Sequence, residues 1–262
     1  LKPAPGFKAD APEAELLRHE RQVVSGANSA IKAFAVPPLT QFADLFDLDL
    51  PLLRCFPEMD HYHRDNGLYV GSVFNSLNLS QAAPSWPQTG GPKRVFAYLH
   101  GAFPQVEGIL RCLVASKSKV VAVVTDEHDL CDRVKAPNLV ISRQLLDLDR
   151  LYREADLAVL HGPVGAGVGF LLAGKPLLLV PLYTEQRMVA RNLVGASLAI
   201  ALFGEVTPNE MAHVLRILTT DSTISHAVGQ FAARYSGYGP LTAAEKAAEL
   251  ILAAAQEKKP GQ

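Results

Sequence analysis

The chain has 262 residues, of which 48% are hydrophobic and 19% charged, and its formal net charge is −1. This length accommodates one large domain or two smaller ones. Without a basic excess, the sequence gives no sign of nucleic-acid binding or of a polybasic membrane contact. No C-x-x-C pair occurs among Cys55, Cys112 and Cys131, and no apolar run reaches membrane-spanning length. We therefore expect a cytoplasmic protein with reduced thiols and a sizeable core.

The first part of the chain has no regular rhythm. Helical spacing and short apolar runs predict four elements before residue 75: helices over Glu13–Phe34 and Gln41–Phe46, then strand-like runs over Leu50–Phe56 and Leu68–Val73. Three prolines and the pair Gly90-Gly91 fall within Ser76–Lys93. Such a composition is typical of an interdomain linker. The expected organisation is a partial first domain over residues 1–75, a linker over 76–93 and a main domain over 94–262.

From Arg94 onward, apolar runs alternate with helical patterns. The predicted strands are Arg94–Leu99, Lys119–Thr125, Leu139–Ile141, Leu157–Leu160, Leu177–Val180 and the extended piece Leu198–Phe203. The predicted helices are Gln105–Ser116, Glu127–Val134, Leu145–Glu154, Ala166–Ala173, Glu185–Val194, Thr207–Thr219, Ser222–Tyr235 and Leu241–Gln256. The apolar runs are continuous, as in parallel strands that are buried on both faces. The pattern predicts an α/β fold with a Rossmann-like, doubly wound parallel sheet.

A glycine-rich turn follows the fourth predicted strand. His161 ends that strand, and four glycines follow within eight residues: Gly162, Gly165, Gly167 and Gly169. Glycine permits positive φ and close backbone approach, and the first turn of a helix presents unpaired N–H groups. These features suit a phosphate group. The alternative interpretations are tight packing of helix on strand without a ligand, and a strand-end histidine bonded to a carbonyl.

A second polar corner follows the next predicted strand. Glu185 and Gln186 lie at the carboxyl end of Leu177–Val180, and ligands of doubly wound sheets bind at that edge. Carboxylate and amide groups bind sugar hydroxyls. They are also common in the first turn of a helix, and for this pair alone the helix start is the stronger interpretation.

Taken together, these residues resemble the donor-binding, C-terminal domain of GT-B nucleotide-sugar glycosyltransferases of the UDP-glycosyltransferase and antibiotic-glycosyltransferase type. The family signature runs roughly H-G-G-x-G-T-x-x-E-A-L-x-x-G-x-P, then a strand and P-x-x-x-D/E-Q. Its matching residues here are His161, Gly162, Gly165, Leu171, Gly174, Pro176, Pro181, Glu185 and Gln186. The resemblance extends from about Arg94 to the final helix. It also makes Leu50–Val73 similar to the end of the family's N-terminal domain.

The resemblance implies a role for each part of the site. The donor diphosphate would be held by His161, Gly162, Gly165, Ala166, Gly167 and Gly101. The donor sugar would be held by Glu185 and Gln186, and the nucleotide base by Ser142, Arg143 and Gln144. The implied reaction is inverting transfer of a sugar from a nucleoside-diphosphate donor, UDP- or dTDP-linked, to a hydroxyl of a small-molecule or lipid acceptor. No cofactor is implied, and no metal, because helix N–H groups and side-chain donors take its place. His61-x-His63 is the nearest metal-like pattern and lacks a third ligand.

Three positions depart from the family pattern. Pro163 replaces a glycine, Ala166 a hydroxyl residue, and Gly169 the acid that holds the ribose. These departures keep open a non-catalytic sugar-nucleotide-fold protein that acts as a binding partner or scaffold. An NAD-dependent oxidoreductase is a weaker alternative. It rests on Gly165-x-Gly167 and on Glu185, which lies 20 residues after Gly165.

The general base and most of the acceptor pocket belong to the family's N-terminal domain. Residues 1–85 are too short for such a domain and contain no glycine-rich turn. We therefore expect this chain alone to bind a nucleoside diphosphate weakly and to be inactive. Its expected partners, besides donor and acceptor, are a separate N-terminal half or further copies of itself.

Overall fold

The computed structural model of the protein describes residues 12–34, 36–46, 48–62, 64, 67–74, 82–125, 129–162 and 164–257. These residues form two compact units. The smaller unit comprises the described residues within Leu1–Gly71 and Ala244–Gln262, and the larger one those within Ser72–Ala243.

The larger unit is built on a six-stranded parallel sheet. The strands of the described chain are β1 (Leu52–Leu53), β2 (Leu68–Tyr69), β3 (Arg94–His100), β4 (Lys119–Thr125), β5 (Leu139–Ser142), β6 (Leu157–Leu160), β7 (Leu177–Leu179) and β8 (Ala199–Ala201). The sheet has the order β5-β4-β3-β6-β7-β8. With β3 counted as its first strand, this is the 3-2-1-4-5-6 order of the Rossmann fold, which confirms the predicted doubly wound sheet.

Helices connect these strands and cover the sheet. The α-helices of the described chain are α1 (Glu13–Ile31), α2 (Val106–Ala115), α3 (Leu130–Arg133), α4 (Leu148–Glu154), α5 (Ala166–Leu172), α6 (Thr184–Gly195), α7 (Pro208–Thr220), α8 (Ser222–Arg234) and α9 (Thr242–Glu257). Every residue of β6 and β7 is buried, which explains why these strands are apolar without alternation.

Helix α4 begins three residues later than predicted. Leu146 forms a parallel bridge with Ala82, and the Asp147 N–H donates to the Ala82 carbonyl at 2.9 Å. Asp147 then caps α4, because its side chain accepts the N–H of Arg150 at 3.1 Å. The chain around Leu146 is therefore extended, and the helix begins only after its cap.

The described part of the predicted linker belongs to the larger unit. The Trp86 indole N–H donates to Glu154 at 2.8 Å, and the guanidinium of Arg94 lies over the Trp86 ring, 5.5 Å from its centroid. Further along, the Gly91 N–H donates to the Lys117 carbonyl at 2.6 Å. Residues 82–93 thus follow the surface of the sheet domain, while residues 75–81 lie outside the described chain.

The described part of the smaller unit contains α1, most of α9, the parallel pair β1–β2 and three short 3₁₀ helices, Lys32–Phe34, Phe42–Phe46 and Pro57–Met59. Between the two strands lies Asp60, which is 3% exposed. Its carboxylate accepts hydrogen bonds from the Tyr69 hydroxyl at 2.8 Å and the Arg64 guanidinium at 2.6 Å, and also from the backbone N–H groups of Tyr62 and Arg64. A buried carboxylate with this many donors fixes the segment that joins β1 to β2.

The start of α7 gives a test of local stability. Thr207 accepts the N–H of Glu210 at 3.2 Å, and Glu210 accepts the N–H of Thr207 at 2.9 Å, so the two residues form a capping box. We expect Thr207→Ala to lower the free energy of unfolding by about 1 kcal/mol, because α7 loses this cap. Thermal unfolding followed by circular dichroism would measure the change. The control Ser225→Ala, on the exposed face of α8, should leave the midpoint unchanged, and an unchanged midpoint for Thr207→Ala would contradict the assignment.

Candidate functional site

A cavity of about 430 Å³ lies at the carboxyl edge of the sheet. The strand order reverses between β3 and β6, since the chain proceeds from β3 to β4 and β5 on one side and from β6 to β7 and β8 on the other. Doubly wound sheets bind their ligands at such a switch point. The cavity is lined by Tyr98, Leu99, His100, Thr125, Leu160, His161, Gly162, Val164, Ala166, Leu182, Tyr183, Glu185, Gln186 and Val189.

The cavity brings together the two polar corners that the sequence singled out. His161, Gly162 and Ala166 line it from the turn after β6, and Glu185 and Gln186 line it from the start of α6. Other predicted site residues are not among its lining: Gly101, Ser142, Arg143, Gln144, Gly165 and Gly167. Their predicted roles in ligand binding remain predictions.

Gly165 is the N-terminal neighbour of α5 and has a φ of +78°. L-residues rarely adopt this conformation, so the turn requires glycine at this position. Gly162 is needed for another reason. A Cβ at Gly162 would lie 3.1 Å from Cγ of Gln186, so glycine allows the turn and the start of α6 to approach each other. Pro163 lies outside the described residues.

Both ring nitrogens of His161 bond to main-chain groups. Nδ1 lies 2.8 Å from the Val180 carbonyl oxygen, and Nε2 accepts the backbone N–H of His100 at 2.8 Å. Burial lowers the pKa of His161 below its usual value, and the nearby His100 lowers it further, while the bond to Val180 opposes both. The ring is therefore neutral. This arrangement agrees with the alternative of a strand-end histidine bonded to a carbonyl, and the predicted contact with phosphate is untested.

Gln186 and Glu185 differ in what they already contact. The side-chain oxygen of Gln186 accepts the N–H groups of Leu182 at 2.8 Å and Tyr183 at 3.3 Å, so it caps the start of α6. Its amide NH₂ group lies on the side of Gly162. Glu185 is exposed and lines the cavity. Its carboxylate is the one acidic side chain among the lining residues of the described chain.

The predicted base-binding segment lies at the end of the edge strand β5. The Ser142 hydroxyl donates to the Gln144 carbonyl at 2.8 Å and accepts the Gln144 N–H at 3.2 Å. Arg143 and Gln144 are exposed. The segment is a small closed turn at the same edge of the sheet as the cavity, and its predicted role in binding a nucleotide base remains a prediction.

Sequence reasoning missed four polar or aromatic residues that line the cavity. Tyr98 and His100 lie at the end of β3, Thr125 ends β4, and Tyr183 precedes α6. Nδ1 of His100 accepts the N–H of Ala102 at 3.2 Å. The signal for His100 and Thr125 was present, because His100 directly follows the predicted strand Arg94–Leu99 and Thr125 ends the predicted strand Lys119–Thr125. The sequence interpretation marked only Gly101 at this place.

Gly169 has a structural explanation. The phenol ring of Tyr152, on α4, packs against the backbone of Gly169, and a Cβ at that position would overlap the Tyr152 ring and hydroxyl. Tyr152 is 7% exposed and forms an edge contact with Phe170, with ring centroids 4.9 Å apart. The Tyr152 hydroxyl is buried without a hydrogen-bond partner in the described chain. The side-chain space that an acid at 169 would use is therefore filled by a phenol.

No group of three or more His, Cys, Asp and Glu side chains in the described residues could hold a metal ion. His63, the second histidine of the His61-x-His63 pattern, lies outside these residues. None of the helices in the described ranges is long and apolar enough to cross a membrane.

No protein-family model matches the sequence, and no curated protein matches it significantly. Solved structures do match the fold. The glycosyltransferase of kitacinnamycin superposes with a TM-score of 0.68 at 19% identity over 95% of this chain and 64% of its own. The calicheamicin glycosyltransferase CalG4 gives 0.67 at 19% over 91% and 60%, and the spinosyn rhamnosyltransferase SpnG gives 0.64 at 21% over 87% and 60%.

The chain shares its fold with part of these GT-B glycosyltransferase structures. At this level of identity the likeness establishes the fold and leaves activity open. The chain spans less than two thirds of the length of these GT-B structures, 60–64% for the three above. In doubly wound sheets the switch point of the strand order, here between β3 and β6, is where ligands bind.

Proposed function

We propose that this chain is the donor-binding part of a glycosyltransferase that transfers a sugar from a nucleoside-diphosphate sugar to an acceptor hydroxyl. The observation that carries the proposal is the cavity at the switch point of the sheet. It is lined both by the glycine-rich turn and by the Glu185-Gln186 corner, to which the family resemblance gives the diphosphate and the sugar.

The fold of the chain supports the proposal. Among the matching structures, VinC is described in complex with dTDP and SpnG with thymidine diphosphate. SpnG is also described with the spinosyn aglycone, a small-molecule acceptor. We propose the same classes of ligand here: a dTDP- or UDP-linked sugar as donor, and a small-molecule or lipid hydroxyl as acceptor.

In the proposed complex the diphosphate lies on the turn before α5. The first N–H groups of a helix have no partner within the helix, so those of Ala166 and Gly167 are donors for phosphate oxygens. The carboxylate of Glu185 accepts hydroxyls of the sugar, and the amide of Gln186 donates to one. The N–H donors of Ala166 and Gly167 stabilise the leaving diphosphate, and we propose that no metal ion is needed for this. We also propose that the transfer inverts the configuration at the anomeric carbon.

The general base and the acceptor pocket are proposed to lie outside this chain. The chain covers 60–64% of the three GT-B structures above, so more than a third of each of them has no counterpart in it. A separate polypeptide or an additional segment would supply the missing part. The chain alone is therefore expected to bind the donor without turning it over.

Calorimetry tests donor binding directly. We expect weak binding of dTDP or UDP by the unmodified chain, and tighter binding of the corresponding sugar nucleotide, because Glu185 contacts the sugar. Glu185→Ala should reduce the affinity for the sugar nucleotide about 10-fold, to that of the plain diphosphate, since it removes hydrogen bonds to a charged group.

The control for this test is Glu249→Ala, an exposed acid on α9. It should bind both ligands as the unmodified chain does. If UDP, dTDP and GDP all give no heat, donor binding is disproved. If Glu185→Ala weakens the plain diphosphate as much as the sugar nucleotide, Glu185 does not contact the sugar.

A second candidate is a non-catalytic binding or scaffold protein with the same fold. The Tyr152 ring at Gly169 favours it, because a phenol occupies the side-chain space of an acid expected to hold the ribose. Donor binding without any activity, even when the missing part of the fold is supplied, would favour this candidate.

The NAD-dependent oxidoreductase is disfavoured by the topology. A dinucleotide fingerprint follows the first strand of the sheet, which is β3 here. The glycine-rich turn follows β6, the fourth strand.

A further inference from the structure

Tyr98 is an exposed aromatic residue inside a central strand of the sheet. It lies in β3, between β4 and β6, and its side chain is 38% exposed. The other interior residues of β3 are buried. Helices normally cover both faces of a parallel sheet. The exposure of Tyr98 therefore marks a gap in the cover of this sheet.

The gap opens into the cavity. Side chains two residues apart on a strand face the same side, so Phe96 shares the face of Tyr98. The Phe96 ring stacks on Phe170 of α5, with ring centroids 5.7 Å apart. Helix α5 begins at Ala166, which lines the cavity together with Tyr98. The helix thus covers this face of the sheet at Phe96 and leaves Tyr98 open to the cavity that its own first residue lines.

The Tyr98 hydroxyl makes no hydrogen bond within the part of the chain that the structure describes. Tyr98 pairs directly with Leu160, the last residue of β6 before the glycine-rich turn. Two other hydroxyl residues line the cavity. Thr125 ends β4, one strand further from β6, and Tyr183 lies beside α6. Of these three residues, Tyr98 is the one on the strand that adjoins the turn.

Other side chains of the cavity are poorly suited to an anion. Among the described lining residues there is no lysine or arginine. Nδ1 of His161 lies 2.8 Å from the Val180 carbonyl oxygen, and Nε2 accepts the N–H of His100 at 2.8 Å, so the neutral ring has no N–H left for a ligand. The carboxylate of Glu185 accepts hydrogen bonds and repels an anion. A phenol O–H is a donor that a phosphate oxygen can use.

From this arrangement we propose that the hydroxyl of Tyr98 donates a hydrogen bond to the diphosphate of the ligand. The proposal rests on the proposed function, since it assigns a further residue to the same diphosphate site. In the complex, the backbone N–H groups of Ala166 and Gly167 hold the diphosphate from the helix, and the phenol of Tyr98 holds it from the sheet. Neutral donors alone then bind the charge of the diphosphate.

Tyr98→Phe removes the hydroxyl and keeps the ring. Calorimetry with inorganic pyrophosphate, and with the nucleoside diphosphate that the unmodified chain binds, measures the effect. We expect the variant to weaken both ligands about 10-fold, as for the loss of one hydrogen bond to a charged group. Its unfolding midpoint without ligand should equal that of the unmodified chain, because no hydrogen bond within the described chain is lost.

Tyr152→Phe is the matched control. It removes a hydroxyl that is buried without a hydrogen-bond partner in the described chain and that does not line the cavity. This variant should bind both ligands as the unmodified chain does. Glu185→Ala provides the contrast. It should remove the preference for a sugar nucleotide over the plain diphosphate, whereas Tyr98→Phe should weaken both equally and keep that preference.

The outcomes separate this inference from the proposed function. If Tyr98→Phe binds the nucleoside diphosphate with unchanged affinity, or if pyrophosphate shows no loss, Tyr98 does not contact the diphosphate, and the inference is overturned while donor binding stands. A chain that binds the nucleoside diphosphate but not pyrophosphate would overturn it as well. If none of UDP, dTDP and GDP binds the unmodified chain, the proposed function fails and this inference fails with it.

Discussion

Gly169→Ala is expected to lower the free energy of unfolding by about 2–3 kcal/mol, because one added methyl group overpacks a buried contact. The Tyr152 ring lies against the Gly169 backbone, where a Cβ would fall well inside van der Waals distance of the ring and its hydroxyl. Phe170 borders the same ring, and Tyr152 is 7% exposed, so the ring has little room to move. In an open helix the same substitution is favourable, because alanine is the better helix former.

The double variant of Gly169→Ala and Tyr152→Ala tests whether the overlap with the Tyr152 ring causes the loss of stability. Tyr152→Ala alone should destabilise the protein by about 3–5 kcal/mol, as for other buried aromatic truncations. Without the Tyr152 ring, the methyl group added at Gly169 has no side chain to overlap. The double variant should therefore be no less stable than Tyr152→Ala. Chemical denaturation of all four proteins gives the coupling energy directly.

Gly108→Ala is the matched control for this cycle. Gly108 lies on α2, and a Cβ there would have no heavy atom within 4 Å. The control should stabilise the protein by up to about 1 kcal/mol, the helix propensity difference. Strictly additive effects of Gly169→Ala and Tyr152→Ala would contradict the proposed clash.

The sheet was predictable because its strands leave a simple signature. The runs Lys119–Thr125 and Leu157–Leu160 are continuous and apolar, and both are strands within those same limits. Burial on both faces removes the alternation that a half-exposed strand would show. The two-residue strands β1 and β2 are shorter than the apolar runs that predicted them, since only part of each run pairs.

The meeting of the two corners in one cavity was predictable in outline for the same reason. Parallel strands end at a common edge, so His161 after β6 and Glu185 after β7 were expected to lie close together, and both line the cavity. The same rule holds for the carboxyl ends of the neighbouring strands. Applying the rule to β3 and β4 would have identified His100 and Thr125.

Other parts of the site have no local signature. Tyr152 precedes Gly169 by a whole strand and its turn, and only the packing of α4 on α5 brings the ring to the glycine. The two partners of the His161 ring are main-chain groups, which every residue type possesses. Whether a strand-end histidine faces a ligand or a carbonyl is therefore decided by the fold and not by its neighbours in sequence.

The second large effect is expected at Asp60. Asp60→Ala should lower the free energy of unfolding by about 2–4 kcal/mol, because it removes a buried carboxylate that accepts several hydrogen bonds and leaves the Tyr69 hydroxyl only its 3.2 Å bond to the Arg64 carbonyl. The lost bonds are those to Tyr69 at 2.8 Å, to the Arg64 N–H at 3.1 Å and to the Tyr62 N–H at 3.2 Å. The guanidinium of Arg64 is 42% exposed, so its ion pair with Asp60 adds little in solvent. Asp60→Asn keeps the shape and part of the acceptor set, and should cost less than Asp60→Ala.

The lowered pKa of Asp60 determines the direction in which the stability of the protein changes with pH. Burial alone would raise the pKa of Asp60, but the bonds from Arg64, Tyr69 and Tyr62 outweigh it, and the pKa lies below its usual value of 3.8. A carboxylate with a lowered folded-state pKa stabilises the protein above its unfolded pKa, and this contribution is lost as the pH falls through the folded one. Thermal unfolding should therefore separate the unmodified protein from Asp60→Asn at pH 7, and the gap should narrow below about pH 4.

Asp132→Asn is the control for charge alone, since Asp132 is 67% exposed and pairs with Lys135 at 3.1 Å on the surface. Its unfolding midpoint should match that of the unmodified protein at pH 7, because exposed ion pairs contribute little. A gap between the unmodified protein and Asp60→Asn that stays constant down to pH 3 would mean that the charge of Asp60 is not what stabilises the β1–β2 segment.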